Sequence, residues 1–397
     1  MTLLYDVAQP AGGGTHVLTI GVGKYPHLID GDKNKLAAKP LGLGQLNSPP
    51  VSAKKFIDWC LAPSMTPGAI GFVNGLSPLA SLEALISTEN LIGIDTPDGF
   101  KLVDPATRVN IQDAFEAWLA RVASHAANIG VFYFCGHGVM VADHYLLAED
   151  FGRSNAQPWA QAFDVSNTLR AVEREASGAL YFFIDACREI SRDMALTLGA
   201  NPFALKAVDL KKPVIRTSAS LIEAAGEGKL AFSAGGGQVS RFTEALITAM
   251  SGYCGIKDAG AATWDVDGES LATAVRKLLE KGNMLPLGKK TGPPKQVSEQ
   301  AIGGSSVPLL RLTAVPKVKV ELDLTPEQKR AVYELYLISA RGDHYQQTGI
   351  NSIFQTEVPR GFYMVGARDN AGALGPVTYP DEELIPPLYG MTIQAPP

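Results

Sequence analysis

Two runs of apolar and aromatic residues, each the length of a β-strand, constrain the fold of this 397-residue chain more than any other feature. The first run, residues 131–135, stops at Gly136-His137-Gly138. The second run, residues 179–184, stops at Asp185-Ala186-Cys187. Because neither run alternates with polar residues, both faces of each strand are predicted to be buried, which is typical of parallel strands covered by helices on both sides.

Amphipathic patterns predict helices that alternate with these strands. Residues 109–129 precede the first run and residues 165–176 precede the second, and further helices are predicted at 51–61, 241–250 and 269–281. Alternation of strand and helix predicts an α/β fold with a mostly parallel sheet.

Other segments complete this prediction. Strands are expected at residues 15–22, 212–219 and 307–312. A short helix is expected at residues 77–87, because Ser77 can cap it and the apolar residues that follow recur at helical spacing.

The pattern changes near residue 315. Residues 1–14, which end in three glycines, are expected to be a flexible lead-in, and residues 15–314 to form the α/β domain. From Lys317 polar and apolar residues alternate at period two, so residues 315–397 are predicted to form a small, sandwich-like all-β domain. A β-extension packed on the main domain is the alternative.

Charge and cysteine content restrict the classes of function. The net charge is −5 and no Lys/Arg cluster dominates a segment, so we expect no nucleic-acid partner. Four scattered cysteines suit a reducing compartment better than a disulfide framework. With neither a secretory leader nor a long apolar run in the sequence, we expect a cytoplasmic protein without a membrane partner.

The two predicted strands end in side chains that can do chemistry together. Carboxyl ends of parallel strands meet at one edge of the sheet, where active sites of such folds lie, so His137 and Cys187 should be neighbours. A cysteine attacks as the thiolate, and a histidine can take its proton and return it to a leaving group. The N–H groups of Gly138 and Cys187 are candidate donors to an oxyanion.

Two nearby residues offer alternatives. Cys135 lies inside the first strand and is interpreted as a core residue. His144 could serve as the base instead of His137, but it lacks the flanking glycines that let a substrate backbone approach.

The same segments resemble a known family. The chain is similar to caspase-like cysteine peptidases of the prokaryotic, metacaspase-related type (peptidase family C14, clan CD). The resemblance covers about residues 15–312 and rests on the segments 20–25, 133–138, 145–150, 185–188 and 241–246. It implies a three-layer αβα sandwich of the caspase–hemoglobinase type and an endopeptidase with Cys187 as nucleophile and His137 as general base and acid.

Asp185 is the informative departure from the animal caspases, which have Gln there. In metacaspase-like relatives this Asp belongs to the S1 pocket and selects Arg or Lys at P1. On a strand, residues two apart share a face, so Asp185 should project beside Cys187, and a recessed carboxylate is stabilised when a cation joins it. Ser218 is a weaker S1 candidate. Alternatively, Asp185 caps local backbone.

The resemblance also bears on regulation and partners. It implies protein or peptide substrates with Arg or Lys at P1, an upstream activating protein, and a zymogen cut in loops after Cys187, in a stress or antiphage pathway. No cofactor is expected, and the lack of an EF-hand pattern leaves a calcium requirement open. Basic residues in the two candidate loops are Arg188, Arg192, Lys206, Lys211, Lys212, Lys281, Lys289, Lys290 and Lys295.

Other functions compete with this prediction. The chain could be a catalytically silent scaffold, although both reactive residues are present. It could be another thiol hydrolase, such as an acyltransferase, or a recruitment protein that acts through its C-terminal β-domain.

Overall fold

The structure is a computed structural model, which describes most of the chain. The described residues are 2–8, 10–33, 42–140, 143–154, 156–157, 159–187, 202–224, 237–282, 296, 298–348, 353–372 and 374–396. The chain divides into two compact units, of which the first contains Met1–Ile247 and Asp267–Arg311 and the second contains Thr248–Val266 and Leu312–Pro397. The second unit therefore includes residues 248–266, which the sequence predictions assigned to the α/β domain.

Helices and strands alternate through the first unit, and the second is built mainly of strands. In chain order the helices are α1 (Ser48–Met65), α2 (Arg108–Ala123), α3 (Val165–Val172), α4 (Arg241–Thr248) and α5 (Gly268–Gly282). The strands are β1 (Thr2–Asp6), β2 (Thr15–Val22), β3 (Leu79–Ser87), β4 (Gly93–Thr96), β5 (Gly99–Leu102), β6 (Ile129–Gly136), β7 (Gly138–Met140), β8 (His144–Leu147), β9 (Ala162–Asp164), β10 (Ala179–Ala186), β11 (Ser218–Glu223), β12 (Trp264–Val266), β13 (Glu299–Gly304), β14 (Leu310–Leu312), β15 (Lys317–Thr325), β16 (Tyr333–Ser339), β17 (His344–Thr348), β18 (Phe354–Pro359), β19 (Gly361–Asp369), β20 (Val377–Leu384) and β21 (Leu388–Gln394).

Seven described strands of the first unit form one sheet in the order β1-β3-β2-β6-β10-β11-β13, and two smaller sheets, β4-β5 and β7-β8-β9, lie outside it. The five central strands run parallel, and the edge strands β1 and β13 are antiparallel to their neighbours. This confirms the predicted mostly parallel sheet.

Helices cover both faces of this sheet. On one face Phe56 of α1 stacks on Tyr133 of β6, with ring centroids 4.5 Å apart. On the other face Trp118 of α2 packs edge-on against Phe132, the preceding residue of β6. Because successive side chains of a strand point to opposite faces, these contacts place one helix on each side, which confirms the three-layer arrangement.

The helix predicted at residues 77–87 was wrong, because this segment contains β3, whose nine residues are all buried. Leu79, Leu82 and Ile86 do recur at helical spacing, but most of the residues between them are also small or apolar. Such a run fits a strand buried on both faces equally well, and pairing with β1 and β2 decides the outcome.

Two further predictions, a flexible segment at residues 1–14 and a strand at residues 212–219, differ from the structure. Residues 2–6 are not a flexible lead-in but form β1, whose Leu4 is fully buried. The strand predicted at 212–219 begins only at Ser218, because the N–H groups of Ile215 and Arg216 donate to the carbonyl of Glu173 instead of a sheet neighbour.

The second unit has two sheets, ordered β18-β15-β21 and β17-β16-β19-β20. Every second residue of β15, from Val318 to Leu324, enters one apolar cluster with Leu337 of β16 and Val365 of β19. This confirms an all-β structure for the C-terminal region. Among the described helices of the whole chain, none is long and apolar enough to cross a membrane.

Candidate active site

His137 and Cys187 follow the ends of two paired strands. In the parallel register of β6 and β10 the last pair is Gly136 with Ala186, so the next residue of each strand is His137 on one side and Cys187 on the other. His137 is 8% exposed. Cys187 is half-buried, whereas Cys60, Cys135 and Cys254 are fully buried. The structure thus brings the two predicted catalytic residues to neighbouring positions.

A backbone carbonyl orients the imidazole of His137. Its Nε2 lies 2.8 Å from the carbonyl oxygen of Gly44, in the loop between β2 and α1. Because a carbonyl oxygen can only accept, Nε2 carries the proton and Nδ1 keeps its lone pair. Nδ1 has no hydrogen-bond partner among the described residues, so it is available to take a proton.

The loop that supplies this carbonyl is itself held by side chains. Tyr25 packs its ring 4.7 Å from the His137 ring, and its hydroxyl accepts a hydrogen bond of 2.8 Å from the His137 N–H. The amide of Gln45, next to Gly44, accepts from the Tyr25 N–H and donates to the carbonyls of Tyr25 and Ile29 at 2.7–2.9 Å. Sequence reasoning missed Gly44 and Gln45, because a backbone carbonyl leaves no residue-type signal.

Burial lowers the pKa of His137 to about 4, although the hydrogen bond to Gly44 opposes this change. The imidazole is therefore neutral at pH 7. A neutral imidazole can act as a general base toward a thiol.

Gly138 occupies a gap that a side chain would fill. A Cβ atom there would lie 2.6 Å from the carbonyl oxygen of Cys187 and 2.6 Å from Nε2 of His144. The Leu147 N–H donates to the His137 carbonyl, so His137 and Leu147 form a hydrogen-bonded pair of the antiparallel ladder. The next pair, Gly138 with Leu146, is therefore one that makes no hydrogen bonds between β7 and β8. The N–H of Gly138 consequently points away from β8.

His144 lies beside Cys187 but is engaged at both ring nitrogens. Nδ1 lies 2.7 Å from Oε1 of Glu223, and Nε2 lies 3.2 Å from the carbonyl oxygen of Cys187. Neither nitrogen is left to accept the thiol proton. The geometry therefore favours His137 over His144 as the base.

Asp185 is buried among hydroxyl groups at the start of α4. The hydroxyls of Ser240 and Thr243 both donate to its Oδ2, the latter at 2.7 Å, and the side chain is 4% exposed. Burial raises the pKa of Asp185, whereas hydrogen bonds from these hydroxyls and from Cys135 oppose the rise. The carboxylate is thus linked to α4, and its ionised form is costly to hold there.

Ser218 was wrongly assigned to the S1 pocket. It is the first residue of β11 and pairs with Ala179, at the sheet edge opposite Cys187. The error follows from the predicted strand, whose carboxyl end was placed at residue 219.

The predicted cleavage sites fall partly on described residues. Lys206, Lys211 and Lys212 are exposed on an irregular segment between β10 and β11. Lys281 lies in the last turn of α5. The sites at Arg188, Arg192, Lys289, Lys290 and Lys295 lie outside the described residues. Within the described part of the chain, no group of three or more His, Cys, Asp or Glu side chains could hold a metal ion.

The chain matches a known protein family. The profile of the family described as Caspase domain (peptidase C14) matches residues 95–311, more than half of the chain. The chain belongs to this caspase family. An uncharacterized protein, y4kE, of Sinorhizobium fredii is 32% identical over 274 residues, which are 67% of this chain and 75% of the relative. Among solved structures, caspase-1 from Spodoptera frugiperda matches with a TM-score of 0.39 and 11% identity, over 78% of this chain and 99% of that one.

Membership of the caspase family makes this chain a cysteine peptidase by class, with proteins as its class of substrate. The matched residues contain His137 and Cys187. They begin after β3, so the loop with Tyr25 and Gly44 lies outside the matched span although β2 and β3 belong to the same sheet.

Proposed function

We propose that this caspase-family protein is an endopeptidase that cleaves peptide bonds after Arg or Lys, with Cys187 as nucleophile and His137 as general base and acid. One observation supports the proposal above the others. The carbonyl of Gly44 holds Nε2 of His137 and leaves Nδ1 without a partner among the described residues, next to the strand that delivers Cys187.

The proposed reaction uses each of these groups in turn. Nδ1 of His137 takes the thiol proton as Sγ of Cys187 bonds to the substrate carbonyl carbon, and the N–H groups of Gly138 and Cys187 stabilise the oxyanion. When the C–N bond breaks, His137 returns the proton to the leaving amine. Water then hydrolyses the thioester, giving a new carboxyl terminus and the free thiol.

Asp185 is the proposed determinant of P1 specificity. It shares its strand face with Cys135 and precedes Cys187 by two residues, and its carboxylate is nearly removed from solvent. Because burial disfavours the charge, a guanidinium or ammonium that reached the carboxylate would be bound strongly.

Peptides that differ only at P1 test the proposal. Reporters with Arg, Lys, norleucine or Asp at P1 should show the two basic residues cleaved fastest by wild type, and Cys187→Ala should abolish cleavage of all four. Preference for Asp would refute the pocket assignment, and turnover by Cys187→Ala would refute the nucleophile. The calcium requirement that the sequence leaves open is decided by assays with EGTA and with added calcium, in which an unchanged rate would show that the enzyme needs no calcium.

Self-cleavage is the proposed means of activation. Lys211 and Lys212 lie on an exposed segment after the nucleophile, where a second molecule could reach the backbone. Intact-mass analysis should find fragments ending at these residues in wild type and only the full chain in Cys187→Ala. Fragments in both proteins would indicate a foreign protease.

A cytoplasmic role in stress or antiphage defence, triggered by an upstream protein, completes the proposal. It is supported by the resemblance alone. Bacteria that express wild type should survive phage challenge better than bacteria that express Cys187→Ala, and equal survival would contradict a protective proteolytic role.

A further inference from the structure

A second buried histidine lies at the same sheet edge as the proposed catalytic pair. His144, at the start of β8, is 1% exposed, and its partner Glu223, at the end of β11, is also buried. Neither residue has a part in the reaction proposed above. A buried carboxylate and imidazole are costly to desolvate, so their presence beside Cys187 calls for a physical reason.

The two ring contacts of His144 define its protonation at one nitrogen. Nε2 lies 3.2 Å from the carbonyl oxygen of Cys187, which can only accept, so Nε2 carries a proton and donates it. Nδ1 lies 2.7 Å from Oε1 of Glu223, which fixes the ring in that orientation. A ring nitrogen held by a carboxylate in this way is a common means of orienting an imidazole.

This donor acts on the peptide unit of Cys187. The carbonyl oxygen of Cys187 is two bonds from its Cα atom, and the Cβ atom bonded to that Cα carries the thiol. Gly138 leaves room for this contact, since a Cβ there would lie 2.6 Å from both the Cys187 oxygen and His144 Nε2. The end of β10 is therefore fixed by β8 and β11 together.

We propose that His144 and Glu223 are positioning residues for the nucleophile: the imidazole, oriented by Glu223, holds the Cys187 carbonyl and so fixes the thiol relative to His137. This rests on the proposed function only in taking Cys187 as the nucleophile. It does not depend on P1 preference.

Two substitutions at one position separate this role from the alternatives. In His144→Gln the amide nitrogen replaces Nε2 and can still donate to the Cys187 carbonyl, whereas in His144→Asn it replaces Nδ1 and reaches only Glu223. We expect His144→Asn to lower kcat by about 10²-fold with KM little changed, since small misplacements of a reacting group have effects of that size. His144→Gln should retain kcat within about tenfold of wild type.

A second readout does not require a substrate. The rate at which iodoacetamide alkylates Cys187, followed by mass spectrometry of the peptide that contains it, reports the contact of the thiol with His137. The other three cysteines are buried and provide internal references. We expect the order wild type, then His144→Gln, then His144→Asn, with His137→Ala slowest. If wild type cleaves none of the P1 reporters, this order still tests the positioning role.

Several results would overturn the inference. Equal or better function of His144→Asn would show that a hydrogen bond to Glu223 is enough and that the donor to the Cys187 carbonyl is not needed. Loss of all activity in both variants, with His137→Ala still active, would make His144 the base. Gly138→Ala offers an independent disturbance if the His144 variants do not fold, since its Cβ pushes the carbonyl and Nε2 apart, and an unchanged alkylation rate there would also refute the proposal.

Discussion

The two units of the chain use charged and aromatic side chains differently. In the first unit, His137 and Cys187 extend from the ends of parallel strands, and a backbone carbonyl, that of Gly44, holds Nε2 of His137. In the second unit, the buried guanidinium of Arg330 pairs with Asp323 and Glu327, and Lys257 and Arg360 each lie within 6 Å of the Trp264 ring centre. These three cations of the second unit are thus engaged in structural contacts, whereas Nδ1 of His137 in the first unit has no hydrogen-bond partner among the described residues.

Strand geometry explains this difference. Parallel strands end at the same edge of a sheet, so the residues that follow them converge on one place. The strands of the second unit are mostly antiparallel, so neighbouring ends point in opposite directions, and alternate residues enter the core. We therefore expect catalysis to depend on the first unit, and matched substitutions in the two units test this expectation.

The largest expected difference in activity is between alanine substitutions of one histidine in each unit, His137 and His344. His137→Ala should lower kcat/KM by about 10²–10⁴-fold, because it removes the proposed general base. His344→Ala changes an exposed histidine of β17 and should leave kcat/KM at the wild-type value. A comparable loss in both variants would break the distinction between the units.

The next effect concerns Asp185. Asp185→Asn keeps the shape of the side chain and should lower the ratio of kcat/KM for Arg over norleucine at P1 by about 10²-fold, because a buried charge pair is lost. Since the pKa of Asp185 is raised, its ionised form destabilises the folded state at pH 7, and thermal stability should stay equal or increase.

Retained selectivity together with a lower melting temperature would contradict this expectation. Asp185 would then serve only to link β10 with α4. Thr243→Val, which removes one hydroxyl donor to the same carboxylate, is the matched control and should alter selectivity less.

A smaller effect is expected in the pH profile. The pKa of His137 is about 4, so the base stays neutral at pH 5.5, where an unperturbed imidazole of pKa 6.5 would be about nine-tenths protonated. A base of pKa 6.5 would lose about nine-tenths of kcat/KM between pH 7.5 and pH 5.5. We therefore expect kcat/KM of this protein at pH 5.5 to be about tenfold higher than such a base would allow. An acid limb centred near 6.5 would contradict the combination of a lowered pKa and a role as base for His137.

Folding stability has to be followed separately in this experiment. The unfolded chain takes up a proton at His137 below about pH 6.5, whereas the folded chain does so only near 4, so this residue makes stability fall as the pH decreases through that window. Intrinsic fluorescence measured at each pH would separate unfolding of the chain from protonation of His137 in the folded protein.

The smallest effect on activity is expected in the second core. Leu337→Ala should lower the stability of the second unit by about 2–5 kcal/mol, because Leu337 is fully buried, yet leave kcat/KM unchanged below the melting transition. Leu180→Ala creates a cavity of the same kind beside β10, and it should lower both the stability of the first unit and kcat/KM. Calorimetry with parallel assays would compare them, and a loss of activity in Leu337→Ala would join the two units functionally.

Sequence patterns predicted the parts of this molecule that depend on side-chain type. The unbroken apolar runs before His137 and Cys187 predicted parallel strands, and alternation after Lys317 predicted the β-rich second unit. Residues 79–87 were misread because a strand buried on both faces carries no period, and the misplaced end of β11 moved Ser218 to the wrong edge.

The candidate site was predictable only at its reactive side chains. The carbonyl of Gly44 exists in any residue, so no pattern could indicate it. Glu223 lies 79 residues after His144 in the chain, and their side chains come into contact only in the folded protein, where β8 and β11 belong to different sheets. Contacts between backbone atoms and between distant strands therefore have to come from the structure.

The contact between Gly44 and His137 determines which mutations in the loop between β2 and α1 the protein should tolerate. Every amino acid has a main-chain carbonyl, so codon changes at position 44 leave the acceptor in place, and saturation mutagenesis should find this position far more permissive than His137. A one-residue deletion or insertion between β2 and α1 would instead move the carbonyl. At position 44 itself, loss of function should therefore come from changes in the length of the loop rather than from substitutions.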